Sequence, residues 1–215
     1  WRDWSSDVCS SDLTCWCDGD GRLVDDGTVT RLADDHFRLT AADPSLVWFE
    51  RLASGFEVEI TDVGRAVSAL ALQGPTSAAC LAPLLADDLD SLRFFRAMKT
   101  RLADVPVTVT RTGYTGDLGY EIWIPRESSL QVWDAIVREG TRTGLMPVGL
   151  AALDMARVEA GYVMAGVDYH NARHCIVPSQ TSSPFELGLD WTVELEREPF
   201  VGQTALRREI GRAHV

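Results

Sequence analysis

Two runs of alternating apolar residues flank a glycine-punctuated loop near the middle of the chain. Val105, Val107 and Val109 alternate with polar or small residues, and Tyr120, Ile122 and Ile124 repeat the same period of two beyond the loop. That period puts successive side chains on opposite faces of a strand, so the runs predict a hairpin with a long connection. Gly113, Gly116 and Gly119 mark the connection, and they are expected to permit positive φ and the close approach of a ligand. One carboxylate, Glu121, follows the loop directly on the apolar strand. A buried charge is costly unless something pairs with it, so an inward-facing Glu121 needs a partner, a role open to a ligand. The loop is not a phosphate cradle, because no Lys-Ser or Lys-Thr follows it and a strand rather than a helix comes next.

Elsewhere strands and helices are interspersed. Leu23–Leu32 and His36–Thr40 read as strands joined by a turn at Ala33-Asp34-Asp35, and Val67–Leu72 as a strand that stops at Gly74-Pro75. Helices are predicted over Pro44–Ala53, after Thr76 as cap, after Ser128 or Ser129, and over Gly149–Ala160. The third is expected to bury Leu130, Trp133, Ile136 and Val137, the fourth Leu150, Leu153, Ala156 and Val158. The sum is an α+β chain with mainly antiparallel sheets and packed helices.

The two ends do not share this patterning. Residues 1–13 contain Asp-Trp-Ser-Ser-Asp-Val-Cys-Ser-Ser-Asp-Leu, one reading frame of a sequencing-library adapter, and Glu209-Ile-Gly-Arg-Ala-His-Val215 translates the start of the complementary one. Residues 1–13 and 209–215 are therefore expected to be adapter-derived and non-native, as tags and fusion scars are. The natural segment is then 14–208, a fragment of two interleaved subdomains, and the natural protein is expected to continue beyond both ends.

About 195 residues suffice for one large domain or two small ones, and an apolar content of 46% supports a packed core. No apolar run approaches the length of a membrane span. The formal charge of −12 argues against a nucleic-acid or anionic-membrane surface, which needs a basic footprint. Cys15-Trp-Cys17 lacks the two-residue spacer of a redox or zinc pair. With Cys80 and Cys175, these read as free thiols in a reducing compartment, hence a cytoplasmic protein. His170 and His174 are four apart, a metal-ligand spacing on a helix, but no third ligand is evident.

Several blocks in order resemble the folate-binding region of the glycine cleavage T-protein (aminomethyltransferase) family. They are Cys17–Asp26, Leu70–Pro75, Arg111–Ile124, Asp154–Gly161, Ser183–Trp191 and Phe200–Gly202. The resemblance implies most of the first two domains of a three-domain cloverleaf, with the carboxy-terminal barrel missing. It implies a tetrahydrofolate-dependent transfer of an aminomethyl or methyl carbon. Glu121 would accept the side-by-side donors of the pterin in a bidentate pair, and Tyr114 would lie against the folate. Asp26 would face its reactive nitrogens as the catalytic acid. It is chosen over Asp25 because neighbours on a strand point to opposite sides. Arg157, on the same helical face as Asp154, would meet the folate's glutamate tail or form a salt bridge. Trp191 matches a family tryptophan, and Phe185 is expected in the core. T-proteins of this pattern carry a tyrosine where this chain has Ala165 and an arginine where it has Leu153. The donor is thus left open between an aminomethylated lipoyl carrier protein and a methylated amine. Two other functions resemble this pattern: the folate half of a flavin-dependent sarcosine or dimethylglycine demethylase, and a non-catalytic folate-binding module.

Overall fold

A computed structural model describes residues 10–43 and 45–213. Its strands are β1 (Ser11–Cys17), β2 (Leu23–Ala33), β3 (His36–Ala41), β4 (Val67–Gln73), β5 (Ala97–Leu102), β6 (Val105–Thr110) and β7 (Gly119–Pro125). Its helices are α1 (Leu46–Leu52), α2 (Ser77–Leu81), α3 (Ser129–Gly140), α4 (Leu150–Glu159) and α5 (Gln203–Ala213). The strands form a three-stranded sheet ordered β1-β2-β3 and a four-stranded sheet ordered β4-β7-β6-β5. This is the expected α+β class. The chain divides into two compact units, each assembled from separated segments. The larger holds Thr30–His36 and Ser45–Tyr162, and the smaller holds Asp12–Val29, Phe37–Pro44 and Val163 onward.

In the larger unit the central hairpin is present in antiparallel register, with Thr108 opposite Trp123, Val109 opposite Ile122 and Thr110 opposite Glu121. β4 pairs along the whole of β7, placing Gln73 opposite Gly119. Val107, Val109, Tyr120, Ile122 and Ile124 point into one core with Leu72, Leu81, Leu102, Val132 and Ile136. Glu121 and Trp123 therefore occupy the other face of β7, and both are only partly covered. The alternation is as expected; the inward carboxylate is not. Glu121 escapes full burial because the apolar positions of β7 claim the core side.

Two helices depart from the expected buried faces. In α3 Ile136 is buried as expected, but with Val132 and Gly140, while Leu130 and Trp133 are exposed. The helix carries two apolar stripes of similar strength, and only the packing against the sheet chooses between them. In α4 the one buried side chain is Arg157, and Leu150 is 84% exposed. Thr76 precedes α2 as expected but makes no side-chain cap, since its hydroxyl donates to the Thr143 carbonyl at 3.3 Å. Of the helix expected over 44–53, Pro44 lies outside the described residues.

The smaller unit is built around Cys17, Leu23, Tyr169, Leu189 and Leu206, with Phe185 packed against them. Two irregular segments are tied to β2, for Leu23 donates to the Ser182 carbonyl at 2.7 Å and accepts from Ala172 N–H at 2.9 Å. β1 takes in Ser11, Asp12 and Leu13. α5 runs through Glu209, whose Oε1 accepts from the Ser183 hydroxyl at 2.5 Å. The two segments expected to be adapter-derived thus contribute residues to regular elements.

Candidate functional site

Glu121 sits at the loop end of β7, opposite the last residue of β6. Cross-strand neighbours on one face are close enough to bond, and the partners here are threonines. The Thr112 hydroxyl donates to Glu121 Oε2 at 2.5 Å, and Thr110 Oγ1 lies 2.7 Å from Thr112 Oγ1 and 3.5 Å from the same carboxylate oxygen. Both threonines are buried, so the carboxylate is anchored through one oxygen. Among the described residues, nothing donates to Oε1. A carboxylate held on one side with acceptor capacity left over fits a ligand that presents paired N–H donors.

The expected positive φ is found at one of the three loop glycines, Gly116, and the other two have a different use. A Cβ on Gly113 or Gly119 would come within 1.9 or 1.8 Å of Gln73 Oε1. Gln73 threads its amide into that space, where Nε2 donates to the carbonyls of Thr112 (3.4 Å) and Tyr120 (3.2 Å). Thr115 Oγ1 donates to Gln73 Oε1 at 3.4 Å. Of the three glycines only Gly116 has positive φ, at 74°. Two of the glycines therefore make room for a side chain of the protein itself, and Gln73 holds the loop in shape.

Tyr114 is partly covered and stacks on Tyr162, with ring centroids 5.5 Å apart and planes 18° from parallel. Arg157 is bonded to the backbone of Tyr162. Its Nε and Nη2 bond Asp154 Oδ1 at 2.8 and 2.7 Å, and its Nη1 donates to the Tyr162 carbonyl at 3.1 Å. The salt bridge weighed from the sequence is thus formed. With Arg157 only 2% exposed, the guanidinium fixes the end of α4 and the residue on which Tyr114 stacks.

The smaller unit carries the aspartate pair. Strand alternation fails here, for Leu23, Val24 and Asp25 are all buried in succession while Asp26 is partly covered. Asp25, 1% exposed, accepts from Asp26 N–H (2.9 Å) on Oδ1 and from Asp43 N–H (2.9 Å) on Oδ2. The Tyr169 hydroxyl reaches both carboxylates, 3.1 Å from Asp25 Oδ1 and 2.5 Å from Asp26 Oδ1. The expected separation of the pair onto opposite sides is corrected by this shared phenol. Burial pushes the Asp26 carboxyl above the usual aspartate range; the Tyr169 hydroxyl draws it partly back and the Asp25 charge adds to the rise. Burial, then the bond to Asp26, push the Tyr169 phenol upward.

Beside Asp25, and not reaching Asp26, a cleft of about 680 Å³ is lined by Val24, Asp25, Asp43, His170, His174 and Ile176, among others. The histidines stand on irregular chain and turns rather than on a helix. Trp191, on a short turn at Asp190–Thr192, is 60% exposed and not part of the core. On β1 the Cys15 thiol lies 3.0 Å from Thr192 Oγ1 and is lowered by the bond from Cys17, which itself is raised by that bond. Cys15, Cys17, Cys80 and Cys175 are all free. Among the described residues, no helix is long and apolar enough to cross a membrane.

Sequence reasoning named Glu121, Tyr114, Arg157, Asp26 and Trp191, weighed Asp25 and set it aside for Asp26, and missed Thr110, Thr112, Gln73, Tyr162 and Tyr169. Gln73 and Thr112 carried a signal, since they fall inside blocks singled out for other residues. Tyr169 stood directly before His170 and His174, which drew the attention instead.

Residues 2–197 match the family model described as the GCVT N-terminal domain. An aminomethyltransferase of Halothermothrix orenii is 34% identical over 197 residues, covering 90% of this chain and 52% of the relative. A trimethylamine-oxide aldolase of Ruegeria pomeroyi is 37% identical over 208 residues, covering 91% of this chain and 25% of the relative. Among solved structures, the glycine cleavage system aminomethyltransferase T of Bartonella henselae superposes with a TM-score of 0.80 at 28% identity, covering 96% of this chain and 54% of that one. The chain spans about half the length of the aminomethyltransferases it matches.

Proposed function

The chain belongs to the GCVT N-terminal domain family, and from that premise we propose that it is the folate-binding part of a tetrahydrofolate-dependent one-carbon transferase of the aminomethyltransferase kind. The observation that carries the reading is the Glu121 carboxylate, fixed through Oε2 by the Thr112 hydroxyl and left with Oε1 available. A rigid carboxylate of this kind suits the ring N–H and exocyclic amine of a pterin, which lie side by side as donors. Tyr114, braced by Tyr162, would offer its ring to an aromatic part of the ligand. Arg157 supports that ring by holding the Tyr162 carbonyl, and the exposed indole of Trp191 gives the smaller unit a stacking surface.

When bound, tetrahydrofolate supplies the nitrogen that accepts the one-carbon unit. Asp26, in the smaller unit, would hold or release a proton at its carboxylate, a role suited to an acid whose charged form is disfavoured by burial. Placement and fixed charges would supply most of the acceleration. Free thiols at four positions fit a reducing compartment, which we take to be the cytoplasm.

Titration calorimetry with tetrahydrofolate tests the reading. A charge-assisted bond contributes roughly 1.5–3 kcal/mol, so Glu121→Gln should weaken binding about tenfold or more while the fold persists. Equal affinity in the two proteins would remove Glu121 from the site.

A second donor is favoured by a specific observation. The similarity to a trimethylamine-oxide aldolase, with Ala165 and Leu153 where T-proteins carry tyrosine and arginine, supports an N-methylated amine in place of an aminomethylated lipoyl carrier. Folate-dependent turnover by the full-length protein with one donor and not the other decides between them.

A further inference from the structure

Tyr169 is one of the most buried polar residues of the smaller unit, and its hydroxyl has a single proton to share between two carboxylates. The chain that carries it is held tightly. Met164 N–H donates to Asp168 Oδ2 at 2.8 Å, Gly166 N–H donates to the Tyr169 carbonyl at 2.9 Å, and Gly166 turns the chain with a φ of 78°. That turn aims the phenol at the aspartates and leaves it little freedom.

The two carboxylates are not equivalent. Asp25 accepts from two backbone N–H groups, one on each oxygen, so the fold itself satisfies both ends of its carboxylate. Asp26 has only its own backbone N–H beside its carboxylate, and among the described residues the phenol is its one side-chain partner. Two anions this close repel, and one hydroxyl proton cannot satisfy both. A second proton resolves the conflict if it resides on Asp26. The Asp26 carboxyl then donates to Tyr169 Oη while Tyr169 donates to Asp25 Oδ1, and every group in the row is satisfied.

We propose that Asp25, Tyr169 and Asp26 form one proton-holding unit, in which Asp26 carries the proton, Asp25 is the resident anion and Tyr169 is the positioning residue that couples them. When the Asp26 proton passes to Tyr169 Oη, the phenol proton passes to Asp25 Oδ1. The net change moves one proton from Asp26 to Asp25 and the negative charge the other way, with no other reactant needed. Asp26 can thus be emptied or refilled without a water reaching it. The remaining titratable groups nearby are Cys15 on β1, which feels the Asp26 charge, and Asp43, whose Oδ2 lies 3.9 Å from His174 Nδ1. Among the described residues, no cation acts on Asp26.

The inference rests on the proposed catalytic role of Asp26 for its use, but its test does not need folate. The side-chain carboxyl carbons of ¹³C-labelled aspartates are followed by NMR in the folate-free chain from about pH 3 to 9, a span covering the ordinary and raised carboxyl ranges. Asp26→Asn identifies the Asp26 signal by its loss. The wild-type Asp26 signal is expected to titrate above the ordinary aspartate range. Tyr169→Phe removes a hydroxyl that bonds Asp26 more strongly when it is ionised than when it is neutral, and should move that midpoint further up. Asp25→Asn, which removes the neighbouring charge, should move it down. A structural disturbance alone does not produce shifts of opposite sign. An Asp26 midpoint in the ordinary range, or shifts of the same sign in the two variants, overturns the proposal. If either variant fails to fold, the wild-type midpoint decides. Loss of folate binding by Glu121→Gln with an ordinary Asp26 titration would keep the folate reading and sink the proton-holding unit alone.

Discussion

Glu121 and Asp25 are both carboxylates on strands rich in apolar residues, yet the fold satisfies them by different means. Glu121 lies partly covered on β7 and takes its close donor, the Thr112 hydroxyl, on one oxygen. Asp25 is buried on β2 and takes backbone donors on both oxygens, with a phenol besides. Backbone N–H groups are placed by the fold itself, so a carboxylate bound to them serves the fold. Hydroxyl donors at one oxygen leave the other for something that arrives later. By this criterion Glu121 suits the ligand proposed for it and Asp25 is anchored by the fold, while Asp26, bonded by the Tyr169 hydroxyl and its own backbone N–H, carries a charge that burial disfavours. The comparison also explains why the choice of Asp26 over Asp25 rests on hydrogen bonds and not on which residue faces inward.

The largest expected effect tests the structural half of this contrast. Asp25→Ala leaves the N–H groups of Asp26 and Asp43 without their acceptor, and each buried unsatisfied donor costs about 1–3 kcal/mol. Urea denaturation should show a loss of about 3 kcal/mol, read from the shift in midpoint. Glu121→Ala, at a partly exposed position whose partners are rotatable hydroxyls, should cost less than about 1 kcal/mol. Equal losses in the two variants would break the distinction between a folding carboxylate and a binding one.

A smaller effect probes how the Glu121 loop is shaped. Gly119→Ala drives a methyl into the Gln73 amide. The amide can move, since it is the far end of a flexible side chain, but it then loses its bonds to the Thr112 and Tyr120 carbonyls. The cost should be about 1–2 kcal/mol by denaturation. In a Gln73→Ala background the clash is gone, and Gly119→Ala should cost much less there, a coupling that a double-mutant cycle reads directly. Additive losses would mean that Gly119 is required by its backbone rather than by Gln73.

The hairpin was legible because a period of two is strong in both arms and the glycines mark the connection. Its register follows, and Glu121 can be named from its place after the loop. What the sequence could not show is which face of β7 meets the core, since Glu121 and Trp123 are set aside only by the packing of Tyr120, Ile122 and Ile124. In α3 two stripes of similar apolarity compete, and the sheet selects Val132 and Ile136. In α4 the buried side chain is an arginine, which no hydrophobic pattern can announce. Tyr169 is farther still from local reading. It lies 143 residues from Asp26 in sequence, and nothing in Val167-Asp-Tyr-His170 reports what its hydroxyl touches. Alternation also misled at Asp25-Asp26, because β2 is covered at three consecutive positions.

The smallest effect concerns the proton on Asp26, and its sign can be worked out. The folded state holds this acid above its ordinary range, with burial as the main cause, while the unfolded chain releases the proton near the ordinary aspartate value. Between those two values the folded protein binds more protons than the unfolded one. Stability must therefore fall as pH rises through that window, the reverse of a salt-bridged aspartate. One group contributes at most about 1.4 kcal/mol per pH unit, and partial exposure of Asp26 keeps the contribution below that limit. Other carboxylates titrate in the same window, so the informative quantity is the difference between wild type and Asp26→Asn in urea midpoints at a series of pH values. The wild-type protein should lose stability relative to the variant as pH rises and then run parallel to it once Asp26 is ionised in both states. A difference that stays flat throughout would mean that Asp26 keeps its charge, and would leave Tyr169 without a proton to position.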